Sequence, residues 1–186
     1  MCSDEWKQER NRMLHLCNTE SRELTRACIE DALLRLLWEK DFKDISVTDI
    51  AAKAGVSRGA YYRNYESKED VFRCIVRQKF QSVYTYMRER EQGINPNAFW
   101  CGMFEGLLKD IDFYKLAVQI GQEIALLEHF NPMSAQFSSA GRIGHYEMLF
   151  YTGAAYNVIV GWIRGGAKES PQTMADILTP LMEVIQ

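Results

Sequence analysis

The sequence contains few of the residues that interrupt helices. Proline occurs four times in 186 residues, and runs in which β-branched and polar residues alternate are scarce. Leu, Ala, Glu, Lys, Arg and Met instead recur at spacings of three and four, which is the period of an amphipathic helix. A hydrophobic content of 47% is enough to form a buried core in a chain of this length. The sequence therefore predicts an all-α protein.

Long uninterrupted apolar segments are also missing. The longest such stretch, residues 150–163, contains Gly153, Asn157 and Gly161 and is shorter than the roughly 20 apolar residues that span a bilayer. The first residues are polar and acidic, without the apolar core of a secretion signal. We therefore expect no membrane contact and a cytoplasmic location.

The cysteines form neither a metal-binding pattern nor a disulfide framework. They are odd in number, widely separated and without a CxxC pair: Cys2, Cys17, Cys28, Cys74 and Cys101. Reduced, mostly buried thiols are the expected form, with a redox-sensing role as the alternative.

Sequence motifs of enzymes are absent as well. The chain has no phosphate-binding Gly-rich loop, no HExxH and no nucleophile elbow, and its three histidines lie far apart. We expect no enzymatic activity, no bound metal and no cofactor.

Basic residues are not in excess over the whole chain. The net charge is −3 and the sequence pI is about 5.7, so any nucleic-acid binding must depend on a local surface. Residues 20–70 hold nine Lys or Arg against eleven Asp or Glu, whereas residues 55–65 contain Arg58 and Arg63 and no acid. This short segment is the candidate surface.

Three serines near this segment are placed to begin helices. Ser46, Ser57 and Ser67 each precede helix-forming residues and can accept a hydrogen bond from a free amide of the first turn. Asp49 lies three residues after Ser46, as in a capping box, and Gly55 can adopt the left-handed conformation that ends a helix. The predicted helices end near residue 40, then cover 47–54 and 58–64, and begin again at 68.

The second and third of these helices have the composition of a helix-turn-helix. Ala51 and Ala54 are small enough for close helix contact, Gly55 makes the turn, and Val56 fills the angle between the helices. On the third helix Tyr61 and Tyr65 are predicted to pack inward. The residues left facing outward are Arg58, Gly59, Tyr62, Arg63 and Asn64.

The segment from Ser46 to Phe72 resembles the TetR family of transcriptional regulators, and with the helix before it the likeness covers roughly residues 22–75. The resemblance implies a three-helix DNA-binding head followed by a helical domain that binds an effector and forms a homodimer. The predicted organisation is an N-terminal extension (1–18), a DNA-binding domain (19–70) and a C-terminal domain (71–186).

The same resemblance implies a set of DNA contacts. It places Tyr62, Thr48 and Lys68 on phosphates of double-stranded operator DNA. It places Arg58, Gly59, Ala60, Arg63 and Asn64 at or near base edges, and the predicted set also includes Ser57, the cap of the reading helix. The chemistry agrees, because Arg can read guanine and Asn can read adenine, and a lysine at a helix start adds charge beside amides that bind phosphate.

The C-terminal part is predicted to be helical over 97–109, 113–128, a segment after 131–132, 141–164 and 171–184. Its aromatic and Met residues predict an effector pocket between helices, with a hydrophobic or aromatic effector. The candidate lining residues are Trp100, Met103, Phe104, Tyr114, Tyr146 and Phe150. The family resemblance implies that the last two helices of each subunit form the dimer interface, and packing within one chain is the alternative.

The sequence thus predicts a transcriptional repressor whose operator binding is controlled by a small molecule. Three alternatives stay open. The C-terminal domain could dock a protein partner instead of a ligand, or the regulator could be an activator. The third alternative is an enzyme built on a helical bundle, which a turnover assay would have to demonstrate.

Overall fold

The structure is a computed structural model, and it describes the backbone of residues 2–90, 95–127 and 141–183. No strand occurs among these residues, so the all-α prediction is confirmed. The elements in chain order are α1 (Cys2–Leu37), a 3₁₀ turn (Phe42–Asp44), α2 (Val47–Ala54), α3 (Arg58–Tyr62), α4 (Lys68–Arg90), α5 (Pro96–Leu108), α6 (Ile111–Gln119), α7 (Gly141–Arg164) and α8 (Pro171–Glu183).

The chain divides into two compact units, Met1–Phe72 and Arg73–Gln186, which we call the head unit and the C-terminal unit. Helix α4 begins in the head unit and continues into the C-terminal unit. The boundary predicted between residues 70 and 71 lies two residues before this division.

The head unit is built around one apolar core. Helix α1 contributes a buried face that includes Ile29 and Leu33, which are four residues apart and therefore on the same side of the helix. Helix α2 packs against α1 and contributes Ile50, and α3 packs against α2. Each large side chain buried in this way stabilises the fold by roughly 1.5–3 kcal/mol.

Helix α1 is longer than the sequence predicts. A separate extension was expected over 1–18, whereas the helix is continuous from Cys2 to Leu37. Its C-terminal end lies near the predicted one, because turn hydrogen bonds from Trp38, Glu39 and Lys40 close the chain directly after Leu37.

In the C-terminal unit α5 packs against α8, and α6 packs against α7. Helix α5 also lies close to α4 at Gly106, where a Cβ would be 2.7 Å from Cγ1 of Val83. Asn95 caps α5 by accepting from the amide of Asn97 at 2.9 Å, and Pro96 occupies the first turn as predicted.

The helix predicted over 113–128 is wrong in its extent. Helix α6 ends at Gln119, and Gly121 follows with a φ of 70°, so the chain leaves the helix before it turns helical again at 124–127. A glycine just past a helix end takes this left-handed conformation without a Cβ penalty. The segment predicted after 131–132 and the last residue of the helix predicted to end at 184 lie outside the described residues.

Candidate nucleic-acid interface

Helix α2 begins at a complete capping box. The amide of Asp49 donates to Ser46 Oγ at 3.2 Å, and the amide of Ser46 donates to Asp49 Oδ2 at 2.9 Å. The same carboxylate accepts from Lys40 Nζ at 2.8 Å. The bonds from Lys40 and then from Ser46 hold the pKa of Asp49 well below its usual value, so the cap stays ionised at any physiological pH.

The turn between α2 and α3 depends on Gly55. This residue has φ 68° and ψ 27°, and its amide donates to the carbonyl of Ala52. The amide of Val56 then donates to the carbonyl of Ala51 at 3.0 Å. Ser57 caps α3 by accepting from the amide of Ala60 at 3.1 Å. The predicted caps and turn are therefore confirmed.

Two tyrosines fix α3 to the head unit. Tyr61 is fully buried and Tyr65 nearly so, as predicted, and the Tyr65 hydroxyl donates to the carboxylate of Glu30 on α1. Their rings lie 6.3 Å apart, centroid to centroid. Because these anchors face inward, the opposite side of the short helix is left in solvent.

The exposed side of α3 carries four of the predicted DNA-binding residues, which we call the recognition surface: Arg58, Gly59, Tyr62 and Arg63. They lie at spacings of one and four residues, so they share one face of the helix. Tyr62 is 51% exposed, and its ring contacts that of Tyr61 edge-on at 5.5 Å. A Cβ placed on Gly59 would lie 3.7 Å from Nη1 of Arg63, so that guanidinium lies along the helix surface.

The other predicted residues lie around this surface. Thr48 is exposed in the first turn of α2, Ser57 is exposed at the start of α3, and Ala60 is half-buried on α3. Asn64 is half-buried just after α3, where its Nδ2 donates to the carbonyl of Ala60 at 2.8 Å and its Oδ1 accepts from Nε of Arg22 at 3.3 Å. Arg22, on α1, was not found from the sequence, because nothing in its local pattern indicates a partner 42 residues away.

Lys68, for which the resemblance implies a phosphate contact, forms its bonds within the head unit. Its Nζ donates to three carbonyl oxygens, of Phe42 at 2.6 Å, Ile45 at 2.9 Å and Lys43 at 3.1 Å, and it lies 4.8 Å from the centroid of the Phe42 ring. An ammonium group has three hydrogens to donate, and all three are used. The side chain therefore ties the 3₁₀ turn to the start of α4.

Residues 29–75, which hold this helix-turn-helix, match the model of the family described as bacterial regulatory proteins, tetR family. This segment is therefore similar to that family of regulators, and the match covers 47 of the 186 residues.

A curated protein similar to this chain is an uncharacterized HTH-type transcriptional regulator, YxbF, of Bacillus subtilis (strain 168). The two are 25% identical over 171 aligned residues. The alignment covers 82% of this chain and 43% of the relative, so the chain spans less than half of that protein's length.

Solved structures of three regulators share the fold of this chain. A fatty acid degradation regulator, FadR, from Bacillus halodurans has a TM-score of 0.52 at 15% identity, with 84% of this chain and 93% of that one covered. The repressor AlkX from a Dietzia strain has a TM-score of 0.51 at 19% identity, with the same coverage. A putative transcriptional regulator from Pseudomonas aeruginosa PAO1 has a TM-score of 0.53 at 18% identity, with 86% and 89% covered. The matched family and these neighbours are all described as regulators.

The six predicted pocket residues are not brought together. Trp100, Met103, Phe104 and Tyr114 are buried in the core of the C-terminal unit, where the rings of Phe104 and Trp162 lie 4.9 Å apart. The other two predicted residues, Tyr146 and Phe150, are 61% and 60% exposed on α7. The amphipathic character of Trp and Tyr side chains therefore did not predict whether a residue lines a pocket, packs in the core or lies on the surface.

A groove with a volume of about 330 Å³ is present elsewhere in the C-terminal unit. Its lining includes Asn97, Phe99, Cys101, Glu105 and Gln172, and none of the six predicted residues. Gln172 Nε2 donates to Asn97 Oδ1 at 3.0 Å, so polar side chains already bonded to each other line one side of it.

Among residues 2–90, 95–127 and 141–183, no helix is long and apolar enough to cross a membrane. In the same residues no three or more His, Cys, Asp or Glu side chains gather as metal ligands would.

Proposed function

We propose that this chain is a homodimeric repressor that binds operator DNA through the recognition surface and releases it when an effector binds the C-terminal unit. The observation that carries the DNA-binding part is the position of Arg58 and Arg63. Both are exposed on α3, and neither forms an ion pair within the part of the chain that the structure describes.

The recognition surface has the chemistry that a major groove requires. A guanidinium can donate two parallel hydrogen bonds to O6 and N7 of guanine, and one such pair discriminates against a wrong base by about 1–3 kcal/mol. The exposed Tyr62 can donate to a phosphate, and so can the hydroxyl of Thr48 at the start of α2. Buried Tyr61 and Tyr65 hold α3 rigidly, so these groups are presented without a large ordering cost.

Homodimerisation is supported by apolar side chains left in solvent on the last two helices. Helix α7 exposes Tyr146, Leu149 and Phe150, and α8 exposes Ile177 and Leu181, each between 40% and 61%. Within each helix the spacings of three and four place them on one face. Contiguous exposed apolar residues are typical of interaction surfaces, and a two-fold axis through them would pair two recognition surfaces with two half-sites.

Effector control is supported by one buried group in the C-terminal unit. Tyr114 on α6 is fully buried, and its hydroxyl has no hydrogen-bond partner in the described residues. Burial, with a smaller effect of Asp110, raises the pKa of Tyr114, so the hydroxyl stays protonated and able to donate. A largely apolar effector with one hydrogen-bond acceptor would satisfy the Tyr114 hydroxyl if it displaced part of the core. Such an effector would bind the repacked state more tightly than the apo state, and this difference in effector affinity is what a switch requires.

The DNA-binding proposal is tested by selecting duplexes from a randomised pool and measuring affinity by fluorescence anisotropy. We expect Arg58→Ala to weaken binding to the selected duplex by roughly 5- to 150-fold, which corresponds to removal of one bidentate hydrogen-bond pair to a base. Arg35→Ala is the matched control, since Arg35 is an exposed arginine of the head unit that pairs with Asp31 at 2.8 Å. Unchanged binding by Arg58→Ala would contradict the proposal, and a folded dimer that selects no duplex would favour control through a protein partner.

The dimer proposal is tested by sedimentation of Phe150→Asp and Ile177→Asp. We expect both variants to sediment as monomers, because each places a charge in the proposed interface. Trp38→Asp is the control, since Trp38 is 78% exposed on the head unit, away from α7 and α8 in sequence. Dimers that persist in both variants would place the interface elsewhere.

A further inference from the structure

The head unit contains a polar groove of about 440 Å³ between α1 and the end of the helix-turn-helix. Ser21, Arg22 and Thr25 line it from α1, and Ala60, Arg63 and Asn64 line the other side. The Thr25 hydroxyl donates to the carbonyl of Ser21 at 2.8 Å and is therefore occupied. The charged donors that remain in the groove are the guanidinium groups of Arg22 and Arg63.

Most other cations of residues 20–70 already have a partner within the head unit. Four of the nine Lys and Arg in residues 20–70 pair with carboxylates: Arg35 with Asp31, Lys40 with Asp49, Lys43 with Asp41, and Lys53 with Glu39. Lys68 donates to three carbonyls, and Arg26 lies 4.9 Å from the centroid of the Tyr65 ring. Within the described residues Arg22, Arg58 and Arg63 make no ion pair. Two of these three arginines face the same groove.

Asn64 holds Arg22 in a defined position. Its Nδ2 is bonded to the carbonyl of Ala60, and its Oδ1 accepts from Nε of Arg22. The bond uses Nε, so both terminal nitrogens of the guanidinium keep their hydrogens for another acceptor. The same two bonds hold both polar atoms of the Asn64 amide within the head unit, so an adenine could reach only its second N–H and second lone pair, in the orientation that these bonds fix.

We infer that Arg22 binds a phosphate of the DNA backbone, and that Asn64 positions Arg22 and does not read a base. The inference rests on the proposed DNA-binding function, because it takes α3 to lie in the major groove. Phosphate contacts beside the reading helix fix the register of the protein on the duplex, and Arg22 lines the same groove as Arg63 and Asn64 at the end of α3. Arg22 supplies this contact from α1, in place of the phosphate contact predicted for Lys68.

The test compares Arg22→Gln with wild type on the selected duplex and on a scrambled duplex, at several salt concentrations. We expect Arg22→Gln to weaken binding to both duplexes by the same factor. The plot of log Kobs against log[salt] should become shallower by about 0.9 for each phosphate that the variant no longer neutralises. Arg22→Lys should restore the slope, since a phosphate accepts from an ammonium group as well, and the exposed, paired Arg35→Gln should behave as wild type.

Asn64→Ala tests the positioning role. We expect a smaller reduction in affinity than for Arg22→Gln, equal on both duplexes, and no further reduction when Asn64→Ala is added to Arg22→Gln. An altered base preference at one operator position in Asn64→Ala would show that Asn64 reads a base, and would overturn its positioning role. Thermal denaturation of each variant checks that the fold is kept. We expect an unchanged fold for the Arg22 variants because Arg22 is exposed.

Two further outcomes separate this inference from the proposed function. If Arg58→Ala weakens binding while Arg22→Gln keeps the affinity and salt slope of wild type, the inference is wrong and the proposed function stands. If Arg58→Ala and Arg22→Gln both bind as wild type does, α3 does not read DNA and both fail.

Discussion

The head unit and the C-terminal unit are stabilised by different kinds of contact. In the head unit, polar side chains fix the ends of helices: Ser46 and Ser57 cap α2 and α3, and Lys68 ties a turn to α4. In the C-terminal unit, large rings such as Phe104 and Trp162 pack together, and α5 approaches α4 at Gly106. Hydrogen bonds are directional, whereas apolar packing is not. We therefore expect the head unit to hold one rigid surface and the C-terminal unit to tolerate repacking around a ligand.

The largest effect is expected from emptying the aromatic core of the C-terminal unit. Phe104 is fully buried, so Phe104→Ala should lower the free energy of unfolding by about 3–5 kcal/mol. Urea denaturation followed by tryptophan fluorescence measures this. Phe104→Leu is the control, and it should cost less than about 1.5 kcal/mol because it restores most of the volume. A decrease below about 1 kcal/mol in Phe104→Ala would instead favour the pocket predicted from the sequence.

A somewhat smaller effect is expected from removing the polar tie in the head unit. Lys68→Met keeps the apolar stem but leaves three carbonyl oxygens without their donor, and should cost about 2–3 kcal/mol. Hydrogen exchange should also become faster at the amides of Asp44 and Ile45, which close the 3₁₀ turn. Lys43→Met should change neither quantity, since Lys43 is exposed and its pair with Asp41 spans 3.5 Å in solvent. Equal exchange rates in Lys68→Met and wild type would show that the tie is dispensable.

The next comparison uses two glycines of α5 that both face α4. A Cβ at Gly106 would lie 2.7 Å from Cγ1 and 3.3 Å from Cα of Val83, so Gly106→Ala should destabilise the protein by about 1–3 kcal/mol. A Cβ at Gly102 would lie 3.5 Å from Cγ of Met87, which is ordinary contact. Gly102→Ala should therefore stabilise the protein by up to about 1 kcal/mol through helix propensity. Thermal denaturation measures the change in Tm of each variant. A change of the same sign in both would contradict the packing of α5 on α4.

The smallest effect is expected from two buried hydroxyls, one in each unit. The hydroxyls of Tyr61 and Tyr114 have no hydrogen-bond partner in the described residues. Tyr61→Phe and Tyr114→Phe should each raise the free energy of unfolding by up to about 1 kcal/mol, because an unsatisfied polar group leaves the core. The effect should be visible as a higher Tm. A decrease in stability in either variant would mean that its hydroxyl is bonded in the folded protein.

The sequence predicts the helix ends of the head unit well because the contacts that define them are local. Ser46 and Asp49 are three residues apart, Ser57 caps an amide three residues ahead, and Gly55 needs only its own left-handed conformation. A pattern of residue types at fixed short spacings is therefore sufficient. The bonds of Lys68 to residues 42–45 and of Arg22 to Asn64 span 23 to 42 residues, and such contacts leave no local pattern.

The C-terminal unit was harder to predict for a related reason. Trp100, Tyr114 and Tyr146 have the same amphipathic character in the sequence, yet two are buried and one is exposed. Which of these occurs depends on which helix packs against which, and periodicity does not contain that information. The helix expected over 113–128 failed because Gly121 was not recognised as a stop, although a glycine is the residue that most readily ends a helix.

The ion pairs of the head unit also affect how the protein finds DNA. Long-range attraction depends on the summed field, and screening limits it to about 8–10 Å at physiological salt. With a net charge of −3, and with four of the nine cations of residues 20–70 in ion pairs, the field offers little electrostatic steering, so the association rate should change little with ionic strength. Nonspecific complexes should be short-lived, and the search should proceed by brief, independent encounters. The number of protein molecules, more than their attraction to DNA, would then set how soon an operator is occupied.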